Sequence, residues 1–129
     1  MIEQTLPAPC GVTSPLSEPL VDWLGLETQF RRKTRFVTSL AEKALKNYRA
    51  SAERLHSLAA GNGEYADIAF LAHSIKGTAG SLKAARVQAL ASATDLAARA
   101  AQPDSRSLAR ELASLLEHLI VELEARVQG

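Results

Sequence analysis

The 129 residues suit a single domain, and 47% of them are hydrophobic against only 5% aromatic, with Ala and Leu supplying much of the apolar set. That mix favours helices packed by small and straight-chain residues over a sheet of β-branched and aromatic ones. Lys plus Arg number 15 and Asp plus Glu 14, a net charge of +1, so no global charge steers the chain to nucleic acid or to an anionic membrane.

Four of the five prolines, Pro7, Pro9, Pro15 and Pro19, lie at the N-terminal end. Proline lacks a backbone donor and restricts its predecessor, so residues 1–15 are expected to be a flexible tail and 16–129 the folded domain. The lone cysteine, Cys10, can form neither an internal disulfide nor a thiolate metal cage, which suits a reducing, cytoplasmic setting. No basic segment followed by an apolar one marks a secretory signal, and no apolar run is long enough to span a bilayer.

A short helix is predicted from Leu16 to Leu24, stopped by Gly25. Phe30, Thr34, Val37, Ala41, Ala44, Tyr48, Ser51, Leu55 and Leu58 then recur at steps of three and four. They predict one long helix over about 26–60, ended by Gly61-Asn62-Gly63. A third helix carries Ile68, Ala72, Ile75, Ala79 and Leu82 on one face, and a fourth Val87, Leu90, Ala91, Thr94, Ala98 and Ala101. Gln102-Pro103 breaks the chain, Asp104 is the expected N-cap, and a fifth helix runs to about Val127 on Leu108, Leu112, Leu115, Leu119 and Leu123, with Leu116 and Ile120 beside them. With no period-two segment, the expected architecture is all-α: an antiparallel four-helix bundle with a short extra N-terminal helix.

Across from the core face of the third helix, at about 100° per residue, stand His73, Gly77, Gly80 and Ala84, with Ala69 before them and Lys76 at the border. Each glycine inside a helix costs about 1 kcal/mol relative to alanine, so the stripe calls for a compensation. Two suit it: close approach of another helix of the bundle, or access for a partner protein to the His73 ring. In-line transfer of a group requires approach within about 3–3.5 Å, and a cation one turn from an imidazole can stabilise a phosphoryl group there. Lys76 has that place, although a helical lysine is more often simply solvated.

The run Ala72-His73-Ser74-Ile75-Lys76-Gly77-Thr78-Ala79-Gly80-Ser81-Leu82 resembles the signature of bacterial histidine-containing phosphotransfer (HPt) domains, and Gly63-Glu64-Tyr65 resembles the lead-in to their histidine helix. The likeness extends more loosely over about residues 17–127. It implies that His73 is the phosphoacceptor, that Lys76 stabilises the phosphoryl group, and that Ala69, Phe70, Gly77, Gly80 and Ala84 form the surface met by the partner. The family often places Gln or Glu twenty-two residues after the histidine to hydrogen-bond the ring. That position is Asp95, one methylene shorter than Glu. Two readings of it stand: an imidazole contact, or a surface pair with Arg99 at i,i+4.

The partners implied are a response-regulator receiver domain, a hybrid histidine kinase, or both, with the chain a monomer that binds no nucleic acid and inserts into no membrane. An imidazole is mostly neutral at cellular pH and so nucleophilic. Since Mg²⁺ in the receiver's acidic pocket supplies most of the charge neutralisation, the chain itself is expected to need no cofactor. It has no Gly-rich nucleotide loop, which suits a phosphocarrier rather than an enzyme. Two alternatives remain: the phosphoacceptor domain of a chemotaxis-type kinase, toward which the acidic Asp95 leans, and a metal-binding helical bundle. For the latter, Glu53-Arg54-Leu55-His56 has a Glu-x-x-His spacing, but di-iron bundles need that spacing twice. Arg31, Arg32, Lys33 and Arg35 form a basic cluster, either a solvated face or a contact for an acidic receiver surface. His118 reads as a flank residue.

Overall fold

The computed structural model describes residues 19–31 and 33–128. The tail expected over 1–15 and the start of the helix expected from Leu16 lie outside the described residues. Five helices follow in order: α1 (Trp23–Gln29), α2 (Thr34–Ala59), α3 (Tyr65–Ser81), α4 (Ala85–Arg99) and α5 (Asp104–Gln128). The described residues contain no strand, and no helix among them is long and apolar enough to cross a membrane.

The two N-terminal boundaries differ from expectation. Gly25 does not stop a helix at Leu24; it lies in the first turn of α1, where its N–H donates to the Asp22 carboxylate at 2.9 Å. A Cβ at Gly25 would collide with that carboxylate, so the residue permits a cap rather than a termination. The long helix predicted over 26–60 is interrupted, because Arg31 adopts a left-handed conformation (φ 54°) and α2 begins only at Thr34. An unbroken helix of that length would extend about 50 Å. The break instead folds α1 back, so that Leu26 is fully buried.

Glu122 of α5 secures this fold-back. Its carboxylate accepts the N–H groups of Leu20 (2.7 Å) and Val21 (3.0 Å) and the indole N–H of Trp23 (2.9 Å). The Arg126 guanidinium lies 4.7 Å from the Trp23 ring centre and pairs with Glu27.

The most extensive packing is between α2 and α5 and between α3 and α4. Ala41, Leu45, Tyr48, Ala52, Leu55 and Leu58 of α2 meet Ala109, Leu112, Ala113, Leu116, Leu119 and Leu123 of α5 in one core, and Val37 is buried as well. The buried face of α2 takes in Leu45 and Ala52, while Ala44 and Ser51 are half-buried and Thr34 is exposed. Leu90, Leu108 and Leu115 likewise sit at the rim of the core, and Ala101 is exposed beyond the end of α4. Arg106 closes the far end, donating to the carbonyls of Leu58 (2.7 Å) and Gly63 (3.1 Å).

Candidate functional site

The α3 helix starts on a reciprocal cap: the Glu64 N–H donates to the Asp67 carboxylate at 2.8 Å, and the Glu64 side chain accepts from the N–H of Asp67. Gly63 precedes it with φ 136°, a backbone conformation that favours glycine. Ile68, Ala72, Ile75 and Ala79 are all buried and fix the helix against the bundle. One more tie comes from α2: the Tyr48 hydroxyl donates to Thr78 Oγ1 at 2.8 Å, and Thr78 donates to the Ile75 carbonyl at 3.1 Å. Burial pushes the Tyr48 phenol above its ordinary value, and the Thr78 hydrogen bond offsets part of that rise.

With its core face so fixed, α3 turns His73 to the surface, where the side chain is 59% exposed. Phe70, one turn earlier, is 79% exposed. Ala69 is half-buried against the core, and Lys76 is half-buried one turn after the histidine.

The small residues of the stripe differ from one another. Nothing lies within 4 Å of a Cβ built on Gly77, so the surface beside His73 is open there. A Cβ on Gly80 would stand 2.9 Å from Gln88 Nε2, because the Gln88 side chain of α4 occupies that space. At Gly80 the space is thus taken by the end of a flexible, exposed side chain rather than left open as at Gly77. Ala84 is a correction. It is fully buried and not part of the outward stripe. The helix ends at Ser81, Lys83 turns left-handed (φ 55°), and the Ala84 N–H bonds back to the Ala79 carbonyl at 2.9 Å. Helical projection has no meaning beyond that turn.

From α4, Asp95 meets the ring. It is 3% exposed, with Oδ2 3.5 Å from His73 Nδ1 and Oδ1 accepting from Arg99 Nε at 2.8 Å. The pair with Arg99 is formed, on a carboxylate that is buried, and the same carboxylate lies near the ring without a hydrogen bond to it among the described residues. Arg99 Nη2 is itself 3.5 Å from His73 Nδ1. Leu96, the residue after Asp95, is 66% exposed. Sequence reasoning had no role for Leu96; its signal, a large apolar residue next to the Asp95 position, is weak without the helix crossing.

Elsewhere the structure separates what the sequence singled out. His56 Nε2 pairs with Glu117 of α5 at 2.9 Å on the surface. His118 is half-buried in a shallow groove of about 530 Å³ with Arg86, Arg110 and Glu111, remote from His73 in the chain and on a different helix. Arg31, Lys33 and Arg35 are exposed, and the Arg32 side chain lies outside the described residues. Among the described residues no group of three or more His, Cys, Asp or Glu could hold a metal ion.

A family model described as the Hpt domain matches residues 35–125, well over half of the chain. No curated protein and no solved structure matches it.

Proposed function

The chain belongs to the Hpt domain family, and from that premise we propose that it is a phosphocarrier of a two-component phosphorelay, accepting and donating a phosphoryl group on His73. Domains of this family are phosphocarrier modules rather than enzymes, and this chain is read the same way, as a monomer that works in the cytoplasm. The observation that carries the reading is the exposed His73 ring beside the open surface of Gly77. At Gly77 no side chain stands in the way of a receiver domain bringing its aspartyl phosphate to the ring.

Each residue of the group then has a role. His73 supplies the nucleophilic nitrogen. Lys76 offers an ammonium to the phosphoryl oxygens, a charge-assisted contact that strengthens as the group arrives. Asp95 orients the ring from its buried side. Phe70, Leu96 and the half-buried Ala69 give the apolar surface on which a partner is seated. The rest of the charge neutralisation is left to the Mg²⁺ held by the receiver, so this chain requires no cofactor of its own.

A second reading, the phosphoacceptor domain of a chemotaxis-type kinase, draws on the carboxylate of Asp95 at the ring. Phosphotransfer profiling separates the two. The phosphocarrier reading expects label to move from phosphorylated receivers to the wild-type chain and back, and to be lost in His73→Ala. Label accepted only from a kinase with ATP would favour the second reading.

A further inference from the structure

The basic run at the start of α2 has no part in the phosphocarrier reading. Arg31, Arg32, Lys33 and Arg35 fall within five residues, and no Asp or Glu lies between Glu27 and Glu42. Since the whole chain carries only +1, everything outside this run is net negative. Arg31, Lys33 and Arg35 are exposed and form no ion pair among the described residues. Glu27, the acid nearest before them in sequence, is already paired with Arg126. Crowded like charges destabilise a fold through self-repulsion, and no acid of the described fold offsets them here.

The cluster stands at one end of the bundle. The Asp22 N–H donates to the Lys83 carbonyl at 3.0 Å, and Glu122 holds the Trp23 indole, which brings the turn after α3 and the end of α5 to α1. A groove lined by Thr34, Thr38, Ala125, Arg126 and Val127 sets the start of α2 beside the last turns of α5. Lys83 adds another exposed cation. Apolar side chains are exposed at the same end: Leu24 at 65%, and Phe36 at 50% with its ring centre 4.7 Å from that of Phe30. The hollow that the two rings line with Gln29, Arg31 and Lys33 measures about 290 Å³. That is room for a headgroup or one side chain, and less than a single turn of a partner's helix, about 10–12 Å across, would occupy.

We propose that this end of the bundle is a peripheral docking surface for anionic phospholipid, on which the chain stands end-on with its cations among the headgroups and Phe36 and Leu24 at the headgroup–acyl boundary. Exposed cations around aromatic and aliphatic tips suit an anionic bilayer, because mobile headgroups gather at the charges and no matched counter-shape is needed. The net negative remainder of the chain is repelled by the same leaflet, which fixes the end-on orientation. No helix among the described residues is long and apolar enough to cross the bilayer, so the contact is superficial. His73 lies eight residues before the end of α3 that adjoins α1, about 12 Å along the helix, and stays open to a partner while the chain is docked. The proposal stands without the phosphocarrier reading.

Cosedimentation of the full chain with vesicles tests it, using phosphatidylcholine alone or mixed with an equal part of phosphatidylglycerol. Wild type should bind the mixed vesicles and not the neutral ones, more weakly as salt is raised. Each cation near an anionic leaflet contributes about a fivefold factor, so Lys33→Gln/Arg35→Gln should bind about thirtyfold more weakly. Phe36→Ser should lose about three- to tenfold, equally at low and high salt. Lys46→Gln/Arg86→Gln removes two exposed charges elsewhere and should bind as wild type does. Circular dichroism checks that each variant is folded. No binding to the mixed vesicles, an equal loss in both double variants, or wild-type binding by Phe36→Ser would each overturn the proposal. So would capture of the chain by polyglutamate without binding to vesicles, which marks an acidic protein as the partner.

Discussion

Replacing Gly77 separates access from stability more cleanly than any other change at the site. The glycine lies inside α3, four residues after His73 and on the same side, and its surroundings are empty to 4 Å. Gly77→Ala therefore adds a methyl group to open space and restricts the unfolded chain, which should stabilise the domain by about 0.4–1 kcal/mol. For a domain of this size that raises the melting temperature by about 2–6 °C. Gly77→Gln also improves helix propensity, but it projects a long side chain over the approach to the ring. A partner kept even 1 Å beyond the reactive distance of about 3–3.5 Å loses about a hundredfold in rate. Thermal unfolding by circular dichroism and transfer from a phosphorylated receiver measure the two effects on the same samples. Gly80→Ala is the control, since its methyl group must displace the Gln88 amide and its gain should be smaller. Wild-type transfer by Gly77→Gln would refute the access argument, and a lowered melting temperature for Gly77→Ala would refute the geometry beneath it.

Three other outcomes follow from the same structure. Lys76→Ala should still accept phosphate but about ten- to a hundredfold more slowly, as loss of one charge-assisted contact worth about 1.5–3 kcal/mol implies; rapid-quench transfer kinetics check this. Tyr48→Phe should cost about 1 kcal/mol at neutral pH through the lost bond to Thr78. Because burial raises the Tyr48 phenol above its ordinary value of 10.0, the folded state keeps a proton that the unfolded state releases. The stability tied to that proton is full below about pH 10 and lost as pH rises through the folded value. The advantage of wild type over Tyr48→Phe in urea unfolding should therefore shrink in that alkaline window, and a constant difference would speak against it. Glu122→Gln should free residues 20–23, because one amide oxygen cannot replace a carboxylate that accepts three N–H groups. Hydrogen exchange at Leu20 and Val21 should speed up well before the core opens, and unchanged protection there would contradict the clasp.

Much of this arrangement was legible from residue spacing, and the misreadings have local causes. The α3 helix was clear because Ile68, Ala72, Ile75 and Ala79 repeat without interruption, which leaves His73 only the opposite side. Ala84 was projected onto that side because nothing in Lys83 announces a left-handed turn; glycine is the usual marker and is absent there. Arg31 hid the break between α1 and α2 for the same reason. At Asp95 the position was readable but the burial was not, since a carboxylate among alanines looks solvated until α3 and α4 are packed. The reach of Arg99 to the ring depends on how those two helices cross, which no single-helix periodicity encodes. Gly77 and Gly80 were indistinguishable by spacing, and only the Gln88 side chain from the neighbouring helix tells them apart.

The proposed function stands or falls on which imidazole carries the phosphoryl group. The chain offers three candidates, His56, His73 and His118. The most direct measurement is to incubate it with a phosphorylated receiver and Mg²⁺, keep the sample alkaline to preserve phosphohistidine, and locate the label by peptide mass spectrometry. Label is expected on His73 alone, and on no histidine in His73→Ala. Label on His56 or His118, in either protein, would contradict it even with the bundle intact.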